Sequence, residues 1–282
     1  MKKTKWTLNR GDNVKIMRKM NADSVDLTVT SPPYDSLRTY EGYSFDFESV
    51  ARELYRITKL GGVVVWVVAD ATVKGSETGT SFRQALFFKE IGFNLHDTMI
   101  YEKSGMAFPE KKRYHNAFEY MFVLSKGTPK TVNIIKDRPN KFVGAKGGNR
   151  RGGLCVRREF GARFNIWRYA NGRDNSTKYR AAFAHPAVFP EALARDHILS
   201  WSNPGELVFD PFAGSGTTLI AALQNGRNAH GVEISSKYYE MILTRIKVET
   251  VFPARNQEHI IGKVALHAWI ECARFLGALQ EK

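Results

Sequence analysis

Residues 206 to 235, ELVFDPFAGSGTTLIAALQNGRNAHGVEIS, constrain the fold more than any other stretch of the chain. An apolar run passes through a glycine turn into an apolar helical segment, and a second short strand follows. The same alternation recurs upstream. Strands are expected at 25 to 30, 61 to 70, 95 to 103 and 118 to 126, with helices at 47 to 58 and 81 to 93. A further helix at 190 to 201 opens on Pro190, whose missing N–H costs nothing at a helix start. Strands alternating with helices imply an α/β fold, a mostly parallel doubly wound sheet covered on both faces. No internal repeat is visible.

Within that unit, Gly214 and Gly216 stand where strand becomes helix, so the backbone can approach a ligand closely. A phosphate-gripping GxxxxGK[ST] loop needs a lysine where Thr217 and Thr218 stand, and the GxGxxG spacing is not met either. Asp210, ahead of the turn, suits an ammonium or a hydroxyl better than a phosphate. Glu233 ends the next strand 23 positions on, the spacing at which a carboxylate reaches ribose hydroxyls. Taken alone, a glycine turn capped by acids fits these residues equally well.

A second stretch, TVTSPPYDSL (28 to 37), ends a buried strand on two prolines. Each removes a backbone donor, leaving a stiff elbow of carbonyls beside the Ser31 hydroxyl and the Tyr34 ring. Asp35 reads as a solvated turn residue. His96, His115 and His230 have no companions in the sequence that suggest a triad, and read as structural.

The chain carries a net charge of +14, which favours a polyanionic partner. Most of that charge is local: residues 126 to 180 hold 6 Lys and 9 Arg against 3 acidic residues, or +12. Phe142, Val143, Leu154, Val156, Phe160, Phe164, Ile166, Trp167 and Tyr169 give this segment apolar mass that a plain linker lacks. It reads as a small, irregular, partly β module gripping a phosphate backbone, with nucleic acid favoured over a membrane surface. No apolar stretch is long enough to cross a bilayer, and the basic start lacks the apolar core of a signal peptide. Two separated cysteines, Cys155 and Cys272, imply a reducing, cytoplasmic setting and no zinc or other metal site.

TSPPY (30 to 34) followed by DPFAGSGTT (210 to 218) resembles the amino-group DNA methyltransferases that use S-adenosylmethionine, in the permuted group whose catalytic motif precedes its cofactor motif. LNRGDNVKIM (8 to 17), RYHNAFEYMFVLSKG (113 to 127), HPAVFPEALARDHI (185 to 198) and GVEISSKYYEMILTRI (231 to 246) match other segments of that group. The resemblance implies a catalytic set of Ser31, Pro32, Pro33 and Tyr34. It implies a cofactor site of Asp12, Asp210, Phe212, Gly214, Ser215, Gly216, Thr217, Thr218 and Glu233. Three regions follow: a catalytic half (1 to 125), a basic target-recognition region (126 to 184) that includes Arg150, Arg151, Arg157 and Arg158 as DNA contacts, and a cofactor-binding half (185 to 282).

The implied substrate is double-stranded DNA with the target base flipped out, and a partner restriction endonuclease is compatible with the group. Ser31 resembles the enzymes acting on cytosine N4, where those acting on adenine N6 mostly carry Asp. Adenine N6 stays open as the alternative, as do an RNA methyltransferase and a binder that has lost catalysis. A last helix at 257 to 279 is expected to pack on its own domain, leaving a monomer or weak dimer.

Overall fold

The computed structural model describes residues 4–34, 45–104, 112–148, 154–170, 172, 176–177, 179, 182 and 190–251. In chain order the elements begin with β1 (Trp6–Arg10), α1 (Asn13–Met17), β2 (Val25–Thr30), α2 (Phe47–Ile57) and β3 (Thr58–Val68). A small hairpin, β4 (Thr72–Val73) and β5 (Ser76–Glu77), leads to α3 (Thr80–Glu90), β6 (Asn94–Lys103) and β7 (Phe118–Ser125). The basic segment supplies β8 (Arg138–Pro139), β9 (Lys146–Gly148), β10 (Leu154–Val156), β11 (Phe160–Gly161) and β12 (Ile166–Tyr169). The chain then forms α4 (Glu191–Trp201), β13 (Leu207–Asp210), α5 (Thr217–Gln224), β14 (Asn228–Glu233) and α6 (Ser236–Val251).

Eight strands make one sheet in the order β1-β14-β13-β2-β3-β7-β6-β12. Every neighbouring pair is parallel except those involving β7, which runs against β3 and β6. The expected mostly parallel, doubly wound sheet is therefore present. The period-2 alternation of β3 shows why both faces need covering. Val63, Val65 and Val67 point into a core shared with Leu193 and Ile198 of α4, Leu219 and Ala222 of α5, and Ile242 and Ile246 of α6. Val64, Trp66 and Val68 point into the opposite core, with Met17, Val50, Leu54, Ile57 and Phe88 of α1, α2 and α3.

Helix α2 illustrates how local signals set the frame. Asp46 caps it by accepting the Ser49 N–H at 3.2 Å, Glu48 lies in the first turn and Arg56 in the last. Its buried Val50, Ala51, Leu54 and Ile57 recur at helical spacing.

The basic segment carries short antiparallel strands. Its described residues from 138 to 161 form an antiparallel arm in which β8 pairs with β11 and β9 with β10. Between those ladders the Asn140 N–H donates to the Glu159 carbonyl at 2.8 Å and the Gly144 N–H to that of Arg157 at 2.9 Å. Beyond the arm, β12 joins the main sheet beside β6, so this segment also completes the sheet edge. Arg150, Arg151, Asp35 and the helix expected at 257 to 279 lie outside the described residues.

Candidate active site

The carboxyl ends of β1, β14, β13, β2 and β3 share one edge of the sheet, where open parallel sheets bind their ligands. Thr30 closes β2 there, and its hydroxyl donates to Asp210 Oδ1 at 2.7 Å, joining TSPPY to DPFAGSGTT across 180 positions. A second link runs from the Thr218 hydroxyl to the Val29 carbonyl at 3.1 Å. The two motifs thus lie side by side at the same edge of the sheet.

The glycine turn is held from below. The Ala213 N–H donates to the Val232 carbonyl at 2.9 Å, and the Gly216 N–H closes back on Ala213 at 2.7 Å. Gly216 has φ of 81°, a left-handed conformation that favours glycine, and a Cβ there would crowd the Ile242 side chain at 3.1 Å. From α6, the fully buried Arg245 donates to the Ser215 carbonyl at 3.0 Å. It also pairs with Glu191, and with Glu249 at 2.7 Å. Thr217 and Ser215 meet through their hydroxyls at 3.2 Å.

Glu233 ends β14 with both carboxylate oxygens engaged: Oε2 accepts the Gly214 N–H and Oε1 the Ser235 N–H, each at 2.8 Å. A carboxylate has four lone-pair directions, so each oxygen keeps capacity for a ligand hydroxyl. The Ser235 hydroxyl beside it is buried with no hydrogen-bond partner among the described residues. The β1–α1 corner closes this end: the Gly11 N–H donates to the Glu233 carbonyl at 2.9 Å, and Asn13 reaches the Pro211 carbonyl at 3.2 Å. Asp12 caps α1 through the Lys15 N–H at 2.8 Å. Phe212 lies edge-on to Phe45, with ring centroids 5.3 Å apart.

Burial pushes the Asp210 carboxyl up to about 6, against the hydrogen bonds from the Thr30 hydroxyl and the Phe212 N–H that favour its charged form. Burial likewise raises Glu233, to which the Asp210 charge adds. Two desolvated acids beside an open glycine turn suit a ligand that brings a cation and hydroxyls. Across the site, Ser31 Oγ and the Tyr34 hydroxyl lie 2.8 Å apart. Among the described residues, no group of three His, Cys, Asp or Glu side chains is placed to hold a metal ion, and no helix is long and apolar enough to cross a membrane.

A family model described as DNA methylase, of the N6 and N4 type, matches residues 25–244. The chain belongs to this DNA methylase family. The orphan methyltransferase M.BamHII of Bacillus amyloliquefaciens is 60% identical over 236 residues, covering 79% of this chain and 89% of the relative. The cytosine-N4-specific PvuII DNA methyltransferase has the same fold, with a TM-score of 0.68 at 20% identity over 93% of this chain and 91% of its own. TTHA0409 of Thermus thermophilus, solved in complex with S-adenosyl-L-methionine, gives a TM-score of 0.61 at 24% identity, over 88% of this chain and 96% of its own.

Against this methylase frame, most of the candidate residues converge on one edge. Ser31, Pro32, Pro33 and Tyr34 leave β2 there, and Asp210 to Thr218 leave β13. Asp12 and Glu233 border the same place through the β1–β14 pair. Arg157 and Arg158 are exposed on the arm, and their hydrogen bonds are to other arm residues. Sequence reasoning missed Thr30 and Arg245. Thr30 alone had a usable signal, since it ends the strand that Ser31 leaves.

Proposed function

We propose that this methylase transfers a methyl group from S-adenosylmethionine to the exocyclic N4 amine of a cytosine within a specific sequence of duplex DNA. The observation carrying the proposal is the direct bond between Thr30 and Asp210, which supports a shared cleft for the base-facing and cofactor-facing motifs. When bound, the cofactor supplies an electrophilic methyl group on a sulfonium centre. The glycine turn would let it approach the backbone, Glu233 and the Ser235 hydroxyl would hold its ribose, and Asp210 would balance its positive charge. Phe212 would pack on its methionine side and Asp12 would stand near its adenine.

The target amine is a poor nucleophile because its lone pair is delocalised into the ring. Holding both of its hydrogens lets nitrogen pyramidalise. The Ser31 hydroxyl oxygen and the Pro32 carbonyl accept those hydrogens from an elbow that two prolines keep rigid. The Tyr34 ring stacks on the base once it leaves the duplex. The methylated amine is acidic, so no strong base is required to take its proton.

Arg157 and Arg158, with Arg150 and Arg151, are assigned to the phosphate backbone, and the protein works on DNA in the cytoplasm. The family contains both N4 and N6 enzymes, and adenine is the second reading. Ser31, where adenine enzymes mostly carry Asp, favours cytosine. Incubation with labelled cofactor and unmethylated duplex DNA, followed by nucleoside mass spectrometry, tests the proposal. N4-methylcytosine is expected; N6-methyladenine alone refutes the base assignment, and no methylated nucleoside refutes the activity.

A further inference from the structure

Three side chains continue the line that starts at Ser31. The Tyr34 hydroxyl lies 2.8 Å from Ser31 Oγ and donates to Glu119 Oε2 at 3.0 Å. The other oxygen of Glu119 pairs with Lys103 at 2.9 Å. Lys103 ends β6 and Glu119 is the second residue of β7. Because β7 is antiparallel, its first residues lie beside the end of β3, as the Val68–Tyr120 pairing shows. The ion pair is sheltered, with 22% and 15% of the two side chains exposed.

Hydrogen counting gives this relay a direction. An ionised carboxylate only accepts, so the single Tyr34 phenol hydrogen goes to Glu119. The Tyr34 oxygen then accepts, and the Ser31 hydroxyl hydrogen goes to Tyr34. Ser31 is left with lone pairs and no hydrogen to offer the site. We infer that Lys103 and Glu119 are positioning residues that fix the Ser31 hydroxyl as an obligate acceptor, so that it takes an N–H of an amino base and repels a keto oxygen. The inference rests on the acceptor role proposed for Ser31. It accounts for a neutral hydroxyl doing the work of a carboxylate: the negative charge stands two hydrogen bonds away, and only its orienting effect reaches the base.

Glu119→Gln keeps the shape and inverts the direction. Lys103 holds the amide oxygen, the amide NH2 faces Tyr34, the phenol hydrogen turns to Ser31, and the Ser31 hydrogen turns toward the target amine. The test is single-turnover methyl transfer from labelled S-adenosylmethionine to unmethylated bacterial genomic DNA fragments, with cofactor affinity by calorimetry and thermal midpoint alongside. Glu119→Gln is expected to slow transfer about 100-fold, at the lower end of losses seen when one oriented transition-state hydrogen bond is removed. Cofactor affinity and midpoint stay at wild-type values. Adding Lys103→Met to Glu119→Gln frees the amide to turn and recovers at least about tenfold of the loss, where a purely structural role would make the double variant worse. Tyr34→Phe keeps the ring and releases Ser31 to rotate, so it slows transfer less than Glu119→Gln.

A Glu119→Gln rate within threefold of wild type, no recovery in the double variant, or a slower Tyr34→Phe overturns the inference. Ser31→Ala separates the levels. Unchanged transfer with Ser31→Ala overturns the acceptor assignment and this inference together. Slowed Ser31→Ala beside a wild-type Glu119→Gln overturns this inference alone.

Discussion

Asp210→Asn tests the electrostatics of the cleft with a sign that is fixed in advance. Asp210 is 2% exposed, and burial lifts its carboxyl from the ordinary 3.8 to about 6. Below the unfolded value the group is protonated in both states and folding loses nothing to it. As pH rises from about 4 through about 6, the unfolded chain releases its proton first. The stability attached to the protonated group is then lost, to a total of roughly 3 kcal/mol for a shift of about two units. Asn keeps an oxygen for the Thr30 hydroxyl and the Phe212 N–H while removing the charge. Urea unfolding of the ligand-free protein should show Asp210→Asn gaining on wild type as pH goes from 5 to 7.5. Cofactor affinity should move the opposite way: in wild type it rises through pH 6 as the carboxylate forms, and in Asp210→Asn this rise is lost. A stability difference between the two proteins that does not change across that pH range refutes the assignment of the buried charge.

Arg245→Met should destabilise the protein by about 3–5 kcal/mol in urea unfolding, because Glu249 and Glu191 lose a fully buried partner. Gly216→Ala forces a left-handed backbone on a residue whose Cβ would meet Ile242 at 3.1 Å; about 1–3 kcal/mol of stability and a matching part of cofactor affinity should go, read by unfolding and calorimetry. Arg157→Gln with Arg158→Gln should weaken DNA binding and flatten its salt dependence, by about 0.9 in log–log slope for each phosphate no longer neutralised, with cofactor affinity unchanged.

The strands at 25 to 30, 94 to 103 and 118 to 125 were readable because each is an apolar run bounded by turn residues, and α2 because its buried positions repeat at helical spacing. The helix expected over 81 to 93, with its end at Gly92, runs Thr80–Glu90, and the chain turns through Gly92 at a positive φ of 113°. Strand β12 was hidden in the basic segment: IWRY is four residues long, and its place depends on pairing with β6 far upstream. Arg245 sits in TRIKVET, where a cation reads as solvated; only the fold reveals that it is buried under the glycine turn. Glu119 was unreadable for a different reason. FEYMFVLSK announces a strand, but its direction decides which end meets Ser31, and direction is a property of the sheet.

The base of the arm is where its two strands meet the body of the protein. The Arg163 N–H donates to the Ile135 carbonyl at 2.9 Å, and the Arg163 side chain binds Asp137 together with Asp196 of α4. Entry and exit are therefore clamped side by side, and the β8–β11 and β9–β10 ladders lie between them in the chain. Such an attachment isolates the two ladders from the sheet: their length and side chains can change while Arg163, Asp137 and Asp196 hold the sheet beneath in register.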